Sequence, residues 1–201
     1  MLEYYTETNP CQLVKSKSID IESGRFLTDS EKPKLIKEAQ KIGGLFFLKV
    51  LMALTTGMRK SELSWLKWGD IDINRKVAIL GTTKNGAPRH TPIPDITLAE
   101  LQKFQGSDCQ LIFPSRTNPN KPKDFKKTWA TCLKKAEIEY FRWHDLRLDA
   151  GSTLAKDGRS LIEIAAILGH KTLVSTKRYA HLSTEHKCTV LNDTMKRYTP
   201  L

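Results

Sequence analysis

The sequence predicts an α+β fold that is mainly α: a helical domain with a small antiparallel three-stranded sheet. Helical patterns fill most of the chain on both sides of a short β-prone region. That region holds three strand-like runs, at residues 71–73, 77–80 and 89–93. Asn85-Gly86 stands between the last two runs, and this dipeptide is typical of a tight hairpin turn.

The predicted helices are placed by their start and stop signals. Thr28 and Glu31 have the spacing of a capping box, in which each side chain accepts from a free backbone N–H of the other residue. The helix that follows is expected to reach about Lys41. An apolar helix over residues 45–56 ends at Gly57, a residue suited to a helix C-cap. Further helices are predicted at residues 59–68, 98–104, 124–136, 146–156, 161–168, 175–179 and 184–198.

The chain is strongly basic. Lys and Arg number 33 against 22 Asp and Glu, a formal net charge of +11. Such an excess favours a polyanionic partner, because each phosphate that a basic side chain neutralises releases counterions. A solubilising surface charge is the alternative explanation, and the charge alone does not choose between DNA, RNA and neither.

Several classes of protein are excluded by what the sequence lacks. The longest apolar run, residues 45–54, is too short to cross a bilayer and contains Lys49. The first residues lack the basic start and apolar stretch of a signal peptide. We therefore expect a cytoplasmic protein with no membrane partner. The four cysteines lie far apart with no metal-ligand spacing, which predicts reduced thiols and no metal site.

Two arginines, two histidines and a tyrosine occur in an order that suits attack by a tyrosine hydroxyl on a phosphodiester. They are Arg59, His144, Arg147, His170 and Tyr179. His144 and Arg147 are three residues apart at a helix start, so both can reach one phosphate. Each residue alone also has an ordinary interpretation: a surface arginine, a histidine that complements a helix dipole, or a tyrosine that only packs.

Other polar residues are candidates for supporting the chemistry or for contacting nucleic acid. Glu62, one turn after Arg59, can hold an arginine in place by an ion pair. Lys84 precedes the hairpin turn, where a lysine can act as a general acid toward a leaving oxygen. The candidate DNA contacts are Arg89, His90, Lys126, Lys127, Lys134, Lys135 and Lys171, although lysine-rich helices usually just face solvent.

Taken together, these motifs resemble the catalytic domain of the tyrosine recombinase (phage integrase) family. The resemblance runs from Phe26 to about Glu185. Five motifs stand in the family's order, at residues 56–63, 83–86, 144–147, 168–171 and 178–182. One position departs from the pattern: Leu148 follows His-x-x-Arg where the family often has a second histidine.

The resemblance implies a phosphate-binding set. By their matching positions, Arg59 and Arg147 clamp the scissile phosphate and His170 hydrogen-bonds to it. Glu62 matches an acidic residue that supports the arginines.

The resemblance also implies which residues react. Tyr179 matches the nucleophile, His144 the proton-transfer histidine and Lys84 the hairpin lysine that protonates the 5′ leaving oxygen. The products are a 3′-phosphotyrosyl link and a free 5′-hydroxyl. Since one phosphodiester replaces another, neither a cofactor nor a metal is expected.

The expected domains are a linker or arm at residues 1–27, the catalytic domain at 28–183 and a C-terminal helix or tail at 184–201. The tail has an apolar side that could dock on a neighbouring protomer or pack on its own core. The residues before Thr28 are too few for the N-terminal helical domain that family members usually carry. The implied partner is double-stranded DNA, bound by a homotetramer on paired sites, with a monomer possible without DNA.

Three other functions stay open from the sequence. A type IB-like topoisomerase uses the same chemistry as a monomer. A DNA-binding module can keep the fold without catalysis, although such a protein has no need of Tyr179. A structural or adaptor protein would have a basic surface for unrelated reasons.

Overall fold

The computed structural model describes residues 24–81, 88–183 and 191. Helices dominate this part of the chain, and one small sheet interrupts them, so the predicted fold class is confirmed. The α-helices are α1 (Glu31–Ile42), α2 (Gly44–Thr56), α3 (Lys60–Trp65), α4 (Asp95–Leu101), α5 (Lys126–Lys135), α6 (Asp145–Lys156) and α7 (Leu161–Leu168). Two 3₁₀ helices lie at Trp68–Asp70 and Leu173–Ser183. No helix in these residues is long and apolar enough to span a membrane.

The sheet is antiparallel, with strands in the order β1 (Ile71–Asp72), β2 (Val77–Leu80) and β3 (Arg89–Pro92). The strand signals at these places are therefore confirmed. Val77 pairs with Pro92 and Leu80 with Arg89, so β2 and β3 are in register along their whole length, up to the connection between them. The predicted turn at 84–86 lies outside the described residues, as does the predicted helix at 184–198 apart from residue 191, which is helical.

The capping box forms as predicted. The Glu31 backbone N–H donates to Thr28 Oγ1 at 3.2 Å, and the Thr28 N–H donates to Glu31 Oε2 at 2.8 Å. Arg25 pairs with the same carboxylate at 2.8 Å. A hydrogen bond from Arg25, outweighing the smaller effect of burial, lowers the pKa of Glu31 to about 2. The start of α1 is thus fixed at neutral pH.

The helix predicted at 59–68 is shorter than expected. It ends at Trp65, because Leu66 adopts an extended conformation and is buried. The Leu66 carbonyl accepts the backbone N–H of Ile112 at 2.8 Å. A partner distant in sequence therefore ends the helix. The segment predicted as a helix at 175–179 is part of the second 3₁₀ helix.

Helix α2 is the centre of the main core. It packs against α1, α4 and α6, and most of its side chains are buried. Its last residue is followed by Gly57, which has φ 62° and ends the helix in the left-handed conformation. A second, smaller apolar cluster lies between α6, α7 and the 3₁₀ helix Leu173–Ser183, and it contains Tyr179.

A lysine is buried inside the main core. Lys49 on α2 is 2 % exposed, and its ammonium group donates to Ser64 Oγ at 3.0 Å. The group also lies 5.1 Å from the centre of the Phe113 ring and 5.2 Å from that of Phe125. Loss of solvent, followed by the charge of Lys60, lowers the pKa of Lys49 to about 8.

We expect Lys49→Met to raise the free energy of unfolding at pH 7 by on the order of 2 kcal/mol. An unfolded lysine keeps its proton up to about pH 10.4, whereas the buried one loses it near pH 8. Between these two pH values the unfolded state binds more protons than the folded state. The free energy of unfolding of the wild type therefore rises as pH rises from about 8 to about 10.4. Lys49→Met should lack this rise, because methionine does not titrate. Urea unfolding at pH 7 and pH 9.5 measures both effects.

The exposed Lys37→Met is the matched control, with no change expected. A Lys49→Met protein that is less stable at pH 7 than the wild type would contradict the argument.

Candidate active site

The fold brings five of the predicted residues to one pocket of about 200 Å³. They come from the turn after α2, from the start of α6 and from the segment after α7. The pocket is lined by Arg59, His144, Arg147, Leu148, His170, Ser175, Arg178 and Tyr179. Three of these eight side chains are arginines, so the pocket is suited to an anion.

Arg59 is held by Glu62 at the start of α3. The backbone N–H of Arg59 donates to Glu62 Oε2 at 2.7 Å, and its guanidinium Nη1 donates to Glu62 Oε1 at 2.8 Å. The Arg59 side chain is 43 % exposed, so part of its guanidinium remains open to the pocket. The ion pair predicted from the sequence is therefore present, at the edge of the pocket.

Arg147 is buried and is held by the ends of two helices. Its Nη1 donates to the Gly57 carbonyl at 2.6 Å, and its Nη2 donates to the Leu168 carbonyl at 2.7 Å. Helix C-terminal carbonyls lack intrahelical partners and carry partial negative charge, so they suit a guanidinium. Burial, followed by the charges of Arg59 and Arg89, lowers the pKa of Arg147 to about 10. The group stays charged at neutral pH.

Arg89 lies behind the pocket. It was predicted to contact DNA, but its guanidinium points into the protein: Nη2 donates to Glu62 Oε2 at 2.8 Å, and Nη1 donates to the Leu168 carbonyl. Burial works to raise the pKa of Glu62, but hydrogen bonds from Arg59 and the charge of Arg89 outweigh it and lower that pKa. Glu62 is therefore an anion shared by two arginines.

The surroundings of both pocket histidines favour the neutral form of the imidazole. Loss of solvent, followed by the charge of Arg147, lowers the pKa of His144 and lowers that of His170 to about 4. His170 Nδ1 lies 2.8 Å from the hydroxyl of the buried Thr176. The lowered pKa of His170 argues against a charged histidine that complements the end of α7.

Tyr179 is buried against α6. It is 1 % exposed, and its ring centre lies 6.3 Å from that of Phe26. A Cβ placed on Gly151 would lie 2.7 Å from the Tyr179 hydroxyl oxygen, so only glycine leaves room for the ring there. Burial raises the pKa of Tyr179, and the nearby charges of Arg178 and Arg147 oppose that rise.

The remaining candidates lie away from the pocket lining. Lys84 is outside the described residues. The others are exposed and sit on β3, on α5 or after α7: His90, Lys126, Lys127, Lys134, Lys135 and Lys171. Their proposed contacts with DNA stay predictions.

Three residues of the site were missed by sequence reasoning. Gly151 carried a signal, since a glycine inside a helix often marks close packing. Arg178 lines the pocket, and its signal is its place beside Tyr179 in the motif at 178–182. Thr176 gave no local signal, because only the folded chain brings its hydroxyl to His170.

Comparisons with known proteins agree on one family. The profile of the Phage integrase family matches residues 25–186. A shufflon-specific DNA recombinase of Escherichia coli is 32% identical over 176 residues, which cover 87% of this chain and 44% of that protein. The chain thus spans less than half the length of this relative.

Two solved structures share the fold. The catalytic domain of bacteriophage HP1 integrase has a TM-score of 0.62 at 24% identity, covering 89% of this chain and 96% of that one. The XerH site-specific recombinase, bound to a palindromic difH substrate in a post-cleavage complex, has a TM-score of 0.70 at 18% identity. That match covers 87% of this chain and 54% of XerH.

Proposed function

Because the chain belongs to the phage integrase family, we propose that it is the catalytic domain of a site-specific DNA recombinase or integrase. Tyr179 attacks the scissile phosphodiester, giving a 3′-phosphotyrosyl intermediate and a free 5′-hydroxyl. Strand exchange and religation follow when a different 5′-hydroxyl reverses the step. The observation that carries the proposal is the pocket that joins Tyr179 to Arg59, Arg147, His144 and His170.

The two arginines take the phosphate. Arg147 has a fixed direction because both terminal nitrogens are held by carbonyls, while Arg59 is held by Glu62 on one side and open on the other. Guanidinium groups match the geometry of phosphate oxygens, so the pair can grip the non-bridging oxygens during attack. Such fixed donors need no rearrangement when the reaction begins.

Proton transfer is proposed to involve the side chains of Tyr179, His144 and His170. A free tyrosine has a pKa of about 10, so a full phenolate at pH 7 costs about 4 kcal/mol, and burial of Tyr179 increases that cost. A neutral His144 can accept the phenolic proton as attack proceeds. A neutral His170, oriented through Thr176, can donate its other ring N–H to a phosphate oxygen.

Lys84 is proposed as the acid that protonates the leaving 5′ oxygen. It belongs to the connection between β2 and β3, and the first residue of β3, Arg89, contacts Glu62 beside the pocket. That placement of the strand end supports the proposal. One phosphodiester replaces another, so the step conserves bond energy and calls for no nucleotide hydrolysis.

Double-stranded DNA is the proposed partner, with a homotetramer on paired sites during strand exchange. The formal charge of +11 supports an anionic partner, and XerH, of similar fold, is described as bound to its DNA substrate. The exposed lysines of α5 are proposed to contact the DNA backbone.

A covalent trapping experiment tests the proposal. The full chain is incubated with a library of randomised DNA duplexes, stopped with detergent and resolved on a denaturing gel. We expect the protein to hold a DNA strand whose 3′ end is blocked by the covalent link. The separate downstream fragment should have a free 5′-hydroxyl, which a polynucleotide kinase labels directly when the library strands are made with 5′ phosphates. Sequencing the linked DNA should reveal a shared motif.

Two outcomes would point elsewhere. DNA binding without any adduct would support a non-catalytic module. Adducts without a shared motif, together with relaxation of a supercoiled plasmid, would support a topoisomerase.

A further inference from the structure

Arg89 lies between Arg59 and Arg147, two of the three arginines that line the pocket. One terminal nitrogen of its guanidinium donates to Glu62 at 2.8 Å, and the other donates to the Leu168 carbonyl. The two acceptors belong to different elements, α3 and the end of α7. A single planar group therefore ties these two elements together.

Glu62 and the Leu168 carbonyl also accept hydrogen bonds from Arg59 and Arg147. Glu62 Oε1 accepts from Arg59 at 2.8 Å, and the Leu168 carbonyl accepts from Arg147 Nη2 at 2.7 Å. Arg89 thus shares one acceptor with each of them. Arg89 is therefore connected to Arg59 through the carboxylate and to Arg147 through the carbonyl.

The Arg89 guanidinium packs directly against the backbone of Gly169, the residue after α7. Gly169 has φ +65°, and a Cβ built there would overlap the terminal nitrogen and central carbon of the Arg89 guanidinium. Position 169 therefore requires glycine for two reasons, its conformation and the passage of this side chain. The Arg89 side chain is 23 % exposed, so it contributes little to the outer surface.

We infer that Arg89 is a positioning residue, which sets the separation and direction of Arg59 and Arg147 through the acceptors it shares with them. It does not act by contacting the DNA backbone. The inference rests on the proposed function, since it concerns how the phosphate is gripped. Lysine has a single compact ammonium group and lacks the fork that reaches two acceptors on different elements.

Arg89→Lys should therefore slow adduct formation at saturating DNA by about 100-fold, the scale of a small misplacement of reacting groups, with DNA affinity unchanged. The substrate is the duplex recovered by covalent trapping, and rates are measured in single turnover. Arg159→Lys, at an exposed arginine before α7, is the matched control and should react at the wild-type rate.

Two further measurements separate positioning from DNA contact. Arg89→Gln removes the positive charge at this position. If Arg89 contacts a DNA phosphate, the slope of log affinity against log salt concentration should fall in magnitude by about 0.9. If Arg89 only positions Arg59 and Arg147, the slope should stay unchanged. In a Glu62→Gln background, Arg89→Lys should slow the reaction far less than in the wild type, because the shared acceptor is already altered. If Arg89→Lys fails to fold, the salt dependence of DNA binding by Arg89→Gln still tests the inference.

The outcomes are distinct. A wild-type rate for Arg89→Lys, or a lower salt slope for Arg89→Gln, overturns the inference while wild-type adducts sustain the proposed function. Wild-type protein that forms no adduct overturns both. A slow Arg89→Lys with normal affinity, an unchanged salt slope and non-additivity with Glu62→Gln supports it.

Discussion

Replacing Tyr179 with phenylalanine is expected to abolish the covalent adduct, lowering its rate of formation by at least about 10⁴-fold, while DNA affinity stays unchanged. The substitution removes only the hydroxyl group. The ring keeps its packing on Gly151 and its contact with Phe26, so the fold should hold. Adduct yield on a denaturing gel and DNA affinity by filter binding are the two measurements.

Tyr140→Phe is the matched control, because Tyr140 is 90 % exposed and lies outside the pocket. It should form adducts as the wild type does. An adduct that persists in Tyr179→Phe would rule out this residue as the nucleophile.

Arg147→Ala should reduce adduct formation by about 10³-fold and also lower the free energy of unfolding by about 2–4 kcal/mol. The stability loss has a specific cause: the carbonyls of Gly57 and Leu168 lose a buried donor, and a cavity remains. Chemical denaturation gives the second value, and single-turnover kinetics at saturating DNA gives the first.

Arg59→Ala is the comparison that separates the two effects. Its side chain is 43 % exposed and is bound by Glu62, so its removal should slow the reaction similarly but cost less than about 1 kcal/mol of stability. Equal stability losses in the two variants would show that the carbonyl contacts of Arg147 contribute nothing. Equal losses of rate and affinity would indicate a plain binding role.

Much of the fold could be predicted because its signals are local. Gly57 and the capping box at Thr28 mark helix ends through the conformation of a few consecutive residues, and the structure has both. The strands flanking Asn85-Gly86 also follow from local pattern. The pocket residues could not be predicted from single motifs. They could be predicted only from the order of five motifs along the chain.

What could not be predicted depends on partners distant in sequence. Arg89 looked like an exposed strand residue, and nothing nearby in the chain indicates that its partners are Glu62 and the Leu168 carbonyl. The early end of α3 has the same origin, since Leu66 pairs with Ile112. Local periodicity describes one element at a time, whereas these contacts arise only when elements pack.

The sharing of Glu62 also has an electrostatic consequence for the proposed reaction. Three guanidinium groups, those of Arg59, Arg89 and Arg147, are balanced by this one carboxylate, while Arg147 is held by uncharged carbonyls. Arg178 also lines the pocket, so four guanidinium groups face one carboxylate and three positive charges are left uncompensated. A phosphodiester at rest carries one negative charge, and its five-coordinate state during attack approaches two. In the proposed reaction, this excess of positive charge stabilises the transition state more than it stabilises bound DNA, which is what catalysis requires.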